Sequence, residues 1–197
     1  MVPGERIVVL ASGEGTLLQS MLDSPLTNRI VAVGSDIDGC PALGRARDAG
    51  VETFCVPMQP DRAGWDRSLR DALVALRTDT VVCAGFMRIL GSEVLAAFEG
   101  QIINSHPSLL PAFPGAHAVR DALAYGVRVT GCTVHLVDSG VDTGPILAQQ
   151  PVFVMNDDDE ATLHERIKEI ERVLLVDVVE RFVEGRSDSK RRVVGSP

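Results

Sequence analysis

Arg6-Ile7-Val8-Val9-Leu10-Ala11-Ser12-Gly13-Glu14-Gly15-Thr16-Leu17-Leu18-Gln19-Ser20-Met21-Leu22 decides the fold, because an apolar β-branched run passes through a glycine turn into a helical pattern. A second strand at 29–35 makes the opening a strand–helix–strand unit. Working outward, the alternation continues with a helix at 41–49, a strand at 52–56, a helix at 64–76 and a strand at 80–84. Leu69, Leu73 and Leu76 recur at helical spacing beside Asp66, Arg67, Arg70 and Asp71, the pattern of a surface helix packed on a sheet. Such alternation predicts βαβ units and a parallel sheet.

The second half is less regular. A short helix at 92–98 precedes a strand ending near Asn104, then a proline-rich loop and a helix at 118–125. Strands at 127–137 and 146–154 are joined by the turn-rich Asp138-Ser139-Gly140-Val141-Asp142-Thr143-Gly144-Pro145. So short a connection favours antiparallel pairing, and the expected fold is a single α/β domain with a mixed, mostly parallel sheet and a Rossmann-like N-terminal half. A last helix at 160–184 carries Leu163, Ile167, Ile170 and Leu174 on one face, with Asp157-Asp158-Asp159 at its positive end. The domain is expected over 1–185, with 186–197 a polar, basic, frayed tail.

The 197 residues suffice for one domain with a substantial core. A hydrophobic fraction of 45% and a charged fraction of 23% are ordinary for a globular protein and argue against disorder. The formal charge of −8 argues against general nucleic-acid binding, so an anionic ligand must be held by local dipoles and a few cations. No apolar run approaches the roughly 20 residues that span a bilayer, and the N-terminus lacks a signal-peptide profile. A cytoplasmic protein without membrane partners is expected. Cys40, Cys55, Cys83 and Cys132 are widely spaced with no CxxC pair, and read as small, mostly buried thiols.

Chemistry concentrates where Ile102-Ile103-Asn104-Ser105-His106-Pro107-Ser108-Leu109-Leu110-Pro111 leaves its strand. Alternate side chains share a face, so Asn104 and His106 point the same way, an amide donor beside a titratable imidazole. That pairing suits a reaction through an oxyanion, although polar residues at a strand end can also simply meet water. Asp142 could reach His106 and move a proton, or could hydrogen-bond its own turn. His135, alone on a strand, has a structural reading and a catalytic one. Ser12-Gly13-Glu14-Gly15-Thr16 suits a phosphate at a helix start, but the same glycine turn is ordinary backbone geometry. It lacks the third glycine of a dinucleotide fingerprint and the Gly-Lys-Ser/Thr ending of a P-loop. Met87-Arg88-Ile89-Leu90 could edge a flat ligand or lead core into Gly91. His117 and His164 have no partner at metal-ligand spacing, so no catalytic metal is expected.

Together these segments resemble the phosphoribosylglycinamide formyltransferase family over nearly the whole chain. The resemblance rests on Ala84-Gly85-Phe86-Met87-Arg88-Ile89-Leu90, then Asn104 through Gly115, then Gly131-Cys132-Thr133-Val134-His135 and Val141-Asp142-Thr143-Gly144-Pro145, in the family's order. It implies transfer of a formyl group from 10-formyltetrahydrofolate, a co-substrate, to the amine of glycinamide ribonucleotide in purine biosynthesis. In that frame Asn104 and His106 stabilise the oxyanion, Asp142 tunes His106 and relays the proton, and His135 supports them. Gly13, Glu14, Gly15, Thr16 and Leu17 form the phosphate loop, and Lys168 and Glu171 contact the same ribonucleotide. Arg62, Met87, Arg88, Ile89, Leu90, Asn104, Val137, Val141 and Asp142 surround the folate.

Two departures stand out. Leu17 occupies a position where many members carry a phosphate-holding Asn, and Glu14 one where a neutral residue is common, so backbone amides are left to hold the anion. Methionyl-tRNA formyltransferase and formyltetrahydrofolate deformylase share the Asn/His/Asp logic, but each is expected to bring a further domain for which this chain has no room. A formyltetrahydrofolate hydrolase and a non-catalytic mononucleotide-binding module are the alternatives. Small-molecule substrates and a monomer or homodimer complete the expectation.

Overall fold

The computed structural model describes residues 5–194, with side chains through residue 186. In chain order the elements are β1 (Ile7–Leu10), α1 (Thr16–Leu22), a 3-10 turn (Pro25–Arg29), β2 (Ile30–Ser35), α2 (Pro41–Asp48), β3 (Glu52–Cys55) and α3 (Arg62–Ala75). There follow β4 (Thr80–Cys83), α4 (Ser92–Ala97), β5 (Ile102–His106), α5 (Ala118–Tyr125), β6 (Val129–Leu136), β7 (Ile146–Phe153) and α6 (Glu160–Val194). The strands form one sheet in the order β3-β2-β1-β4-β5-β6-β7. The first five are mutually parallel, whereas β6 runs antiparallel to both β5 and β7.

Period-two alternation explains how the central strands are buried on both faces. Ile7, Val9, Val33, Val82 and Ile103 pack against α1, α2 and α6 through Leu18, Met21, Leu43, Leu175 and Val179. Their neighbours Val8, Leu10, Val81, Cys83 and Ile102 pack on the other face against Trp65, Leu69, Leu73 and Val94 of α3 and α4. A third cluster joins Val119 of α5 and Cys132 and Val152 of the antiparallel strands to Leu163 and Ile167 of α6. Each fully buried aliphatic side chain contributes about 1.5–3 kcal/mol.

The strand order reverses between β1 and β4, which places a crevice beyond their carboxyl ends. There the Ser12 amide donates to the Gly85 carbonyl at 3.1 Å, tying the turn after β1 to the loop after β4. Asp66 anchors the far end of that second loop. Buried on α3, it accepts from the amides of Gly91 at 2.8 Å and Glu93 at 2.9 Å, and so caps α4 from a neighbouring helix. A Cβ at Gly91 would lie 2.5 Å from that carboxyl group, so the cap requires glycine there.

The last helix corrects one expectation. Instead of ending at Glu184, α6 runs on through Gly185 to Val194. A helical glycine costs only about 1 kcal/mol, and Arg186 beyond it is docked rather than frayed. Its Nε lies 2.9 Å from the buried Glu5 carboxylate, it donates to Gln101 Oε1 at 3.1 Å, and its guanidinium covers the Phe182 ring. Of the expected tail, 195–197 lie outside the described residues.

Replacing Asp66 by Ala leaves buried amides of α4 unpartnered, and should lower stability by about 1–3 kcal/mol in urea unfolding. An unchanged midpoint would show that water replaces the cap.

Candidate active site

Strand β5 delivers Asn104 and His106 on one face and Ser105 on the other. Because β6 pairs antiparallel with β5, Asn104 stands directly opposite His135. Asn104 Nδ2 lies 3.1 Å from His135 Nε2, while His135 Nδ1 lies 2.9 Å from the Leu136 carbonyl. That carbonyl can only accept, so Nδ1 carries a proton, while Nε2 faces both the Asn104 side-chain amide and Asp142. His106 is buried, with Nε2 2.9 Å from the Phe113 carbonyl and Nδ1 3.4 Å from Asp142 Oδ2. Both of its nitrogens therefore face acceptor oxygens.

Asp142 sits between the two imidazoles, its Oδ1 3.6 Å from His135 Nε2. The turn that carries it is held by another residue: Asp138 accepts from the Gly140 amide at 3.0 Å and the Thr143 hydroxyl at 2.7 Å. Asp142 itself takes a left-handed conformation, φ 55°, and accepts the Gly115 amide at 2.8 Å. The His135 ring, then the Gly115 amide and the charge of His106, hold its carboxyl below the usual range against the opposing effect of burial.

The proline-rich loop is fixed from behind. Thr133 on β6 donates to the Ser108 carbonyl at 2.6 Å and accepts from the Leu110 amide and Gln149, each at 3.0 Å. Ser108 in turn donates to the Ala112 carbonyl at 2.6 Å, just before Phe113 turns back with φ 53°. The carbonyl that orients His106 is thus part of a braced loop.

These groups open into a cavity of about 510 Å³, within the range of small-molecule sites. Met87, Arg88, Ile89, Leu90, Asn104, His106, His135, Val137, Val141 and Asp142 all line it. Cys83 also lines it, but burial pushes that thiol up to about 12, so it offers no thiolate near neutral pH.

Residues 5–179 match the family model described as formyl transferase. A phosphoribosylglycinamide formyltransferase of Mycobacterium tuberculosis (strain CDC 1551 / Oshkosh) is 58% identical over 179 residues, covering 88% of this chain and 83% of the relative. The chain belongs to the phosphoribosylglycinamide formyltransferase family. Among solved structures, glycinamide ribonucleotide transformylase 1 from Symbiobacterium toebii aligns with a TM-score of 0.90 at 43% identity, covering 93% of this chain and 89% of that one. A formyltetrahydrofolate deformylase from Pseudomonas syringae pv. tomato str. DC3000 aligns with a TM-score of 0.87 at 26% identity, covering 94% and 63%.

The remaining residues suspected in this formyltransferase are not among those that line the cavity. Gly13 and Glu14 are exposed, and the Glu14 carbonyl accepts from Arg45 Nε at 2.7 Å. Gly15 has φ 70° at the start of α1, and a Cβ there would come within 2.8 Å of Ala42. Thr16 begins the helix, whereas the Leu17 side chain is buried in the core, leaving only its backbone for an anion. Lys168 pairs with Glu165 at 2.7 Å. Glu171 is buried against Ser105 at 2.6 Å, and burial raises its pKa. The Arg62 guanidinium stacks over Trp65 and donates to the Ile89 carbonyl at 2.5 Å. Among the described residues no group of three or more His, Cys, Asp or Glu could hold a metal ion, and no helix is long and apolar enough to cross a membrane.

Sequence reading missed Phe113, Ser108, Thr133 and Asp36. The first three contribute main-chain geometry or bonds to it, which side-chain chemistry does not signal.

A depressed folded pKa means that Asp142 adds stability above the ordinary carboxylate value of 3.8 and loses it as pH falls through the lower folded value. The difference in unfolding free energy between wild type and Asp142→Asn should therefore be flat near neutral pH and shrink below pH 3.8 in chemical denaturation. A difference independent of pH across that window would contradict the assigned shift.

Proposed function

We propose that this chain transfers the formyl group of 10-formyltetrahydrofolate to the primary amine of glycinamide ribonucleotide, a step of purine biosynthesis. The single observation that carries the reading is Asp142 lodged between His106 and His135, with Asn104 alongside, at the wall of the cavity. The 58% identity to a phosphoribosylglycinamide formyltransferase, against 26% to a deformylase, supports transfer to an amine over hydrolysis. Formyl transferases draw the group from a formyltetrahydrofolate.

In the proposed mechanism the neutral amine adds to the formyl carbon and the carbonyl π pair moves onto oxygen. Asn104 donates to that oxyanion and His106 stabilises its charge, the preorganised electrostatics that acyl transfer requires. Asp142, held as a carboxylate, takes the proton shed by the new ammonium. Collapse reforms the carbonyl and breaks the bond to N10, which leaves with a proton, so protons balance over the cycle. No covalent enzyme intermediate or metal takes part, and positioning supplies much of the acceleration.

The amides of Gly13, Gly15 and Thr16, with the backbone of Leu17, are assigned to the ribonucleotide phosphate, and the Glu14 carboxylate turns to solvent. Lys168 and Glu171 are assigned to the same substrate. Arg62, Met87, Arg88, Ile89 and Leu90 border the folate on one side, Val137 and Val141 on the other. The protein is taken to act in the cytoplasm, as a monomer or homodimer.

Spectroscopic measurement of tetrahydrofolate release, with and without glycinamide ribonucleotide, tests this reading. Strict dependence on the ribonucleotide is expected. Release without it would make the protein a hydrolase, and no release at all a binding module. In the same assay Asp142→Asn should lower kcat by about 10²–10⁴ with KM values changed only a few-fold. Full turnover in that variant would remove Asp142 from the mechanism.

A further inference from the structure

Asp36 stands at the carboxyl end of β2, beside the crevice, and its side chain is fully buried. One of its oxygens accepts from the Ser12 hydroxyl at 2.6 Å, the other from Arg88 Nε at 2.6 Å. The Ser12 oxygen also accepts from the Met87 amide at 2.8 Å. Ser12 immediately precedes Gly13 of the phosphate loop, and Met87 and Arg88 lie in the cavity wall assigned to folate. A single carboxylate thus holds the loop assigned to one substrate and the loop assigned to the other.

The bond directions make this link sensitive to chemistry at position 36. Ser12 spends its only proton on Asp36 and its lone pair on Met87, so the carboxylate must accept from both Ser12 and Arg88. An Asn can accept with one atom alone. Its other atom donates, so either the Ser12 hydroxyl must turn its proton elsewhere or Arg88 Nε loses its acceptor. The Arg88 side chain is 39% exposed, but the carboxylate it meets is fully buried, and short charge-assisted bonds to such a group are the strong kind, so the two loops are tied through Asp36.

We infer that Asp36 is a positioning residue that couples the two substrate subsites: ribonucleotide on the Gly13–Thr16 loop fixes Ser12, and through Asp36 the Met87–Arg88 wall, for folate. This rests on the placement of the two substrates proposed above. The coupling is reciprocal by thermodynamic linkage, so each ligand tightens the other by the same factor.

The test is calorimetric titration of tetrahydrofolate into the intact protein, with and without saturating glycinamide ribonucleotide, a pair between which no formyl group can pass. Wild type should bind tetrahydrofolate about fivefold or more tightly when the ribonucleotide is present. Asp36→Asn and Ser12→Ala should bind both ligands and yet show a factor near one, an outcome that general weakening of the fold does not produce. Trp65, the only tryptophan, stacks on Phe86 with centroids 6.4 Å apart and reports on the same wall. Ribonucleotide should change its emission in wild type and leave it unchanged in a ribonucleotide-bound Asp36→Asn protein. Either variant retaining the wild-type factor overturns the coupling, as does a wild type whose two ligands bind independently. A wild type that binds tetrahydrofolate but no ribonucleotide overturns the subsite assignment itself, and the coupling with it.

Discussion

A strand cannot place neighbouring side chains on one face, so β5 must divide its polar residues. Asn104 and His106 turn toward the cavity, while Ser105 turns back to Glu171 on α6. The antiparallel register of β6 then sets His135 opposite Asn104, and the loop after β6 brings Asp142 back to both imidazoles. A slip of one residue in that register would send His135 to the opposite face and dismantle the whole arrangement. The five mutually parallel strands supply the rigid platform, and β6 with the loop after it brings His135 and Asp142 to the end of β5.

Electrostatics and packing work together in this arrangement. Asp142 is released for the imidazoles because Asp138 satisfies the turn, and it stays ionised because His135, Gly115 and His106 surround it. His106 is held between the Phe113 carbonyl and Asp142, and Phe113 is held by a loop braced on Thr133. In a chain with a formal charge of −8, the oriented donors have to do locally what net charge cannot.

Much of this was legible in the sequence. Strand–helix alternation across 6–84 specified parallel βαβ units, and the short turn between the last two strands specified antiparallel pairing, because both follow from periodicity and loop length. The shared face of Asn104 and His106 followed from strand geometry alone. The placement of His135 beside Asn104 and Asp142 did not, since a lone strand histidine gains meaning only from the residue opposite it. Asp36 was invisible for the same reason: its partners lie 24 and 52 residues away in sequence. The end of α6 was misread because Gly185 signals a stop, whereas contacts from Arg186 to Glu5 and Gln101 carry the helix onward.

The central claim is that the formyl group passes directly from folate nitrogen to the ribonucleotide amine. Carbon NMR of a reaction begun with ¹³C-formyl-labelled 10-formyltetrahydrofolate and glycinamide ribonucleotide follows that group itself. The label should move wholly into the formamide of the ribonucleotide, one equivalent for each tetrahydrofolate formed. Label appearing as free formate would contradict the account.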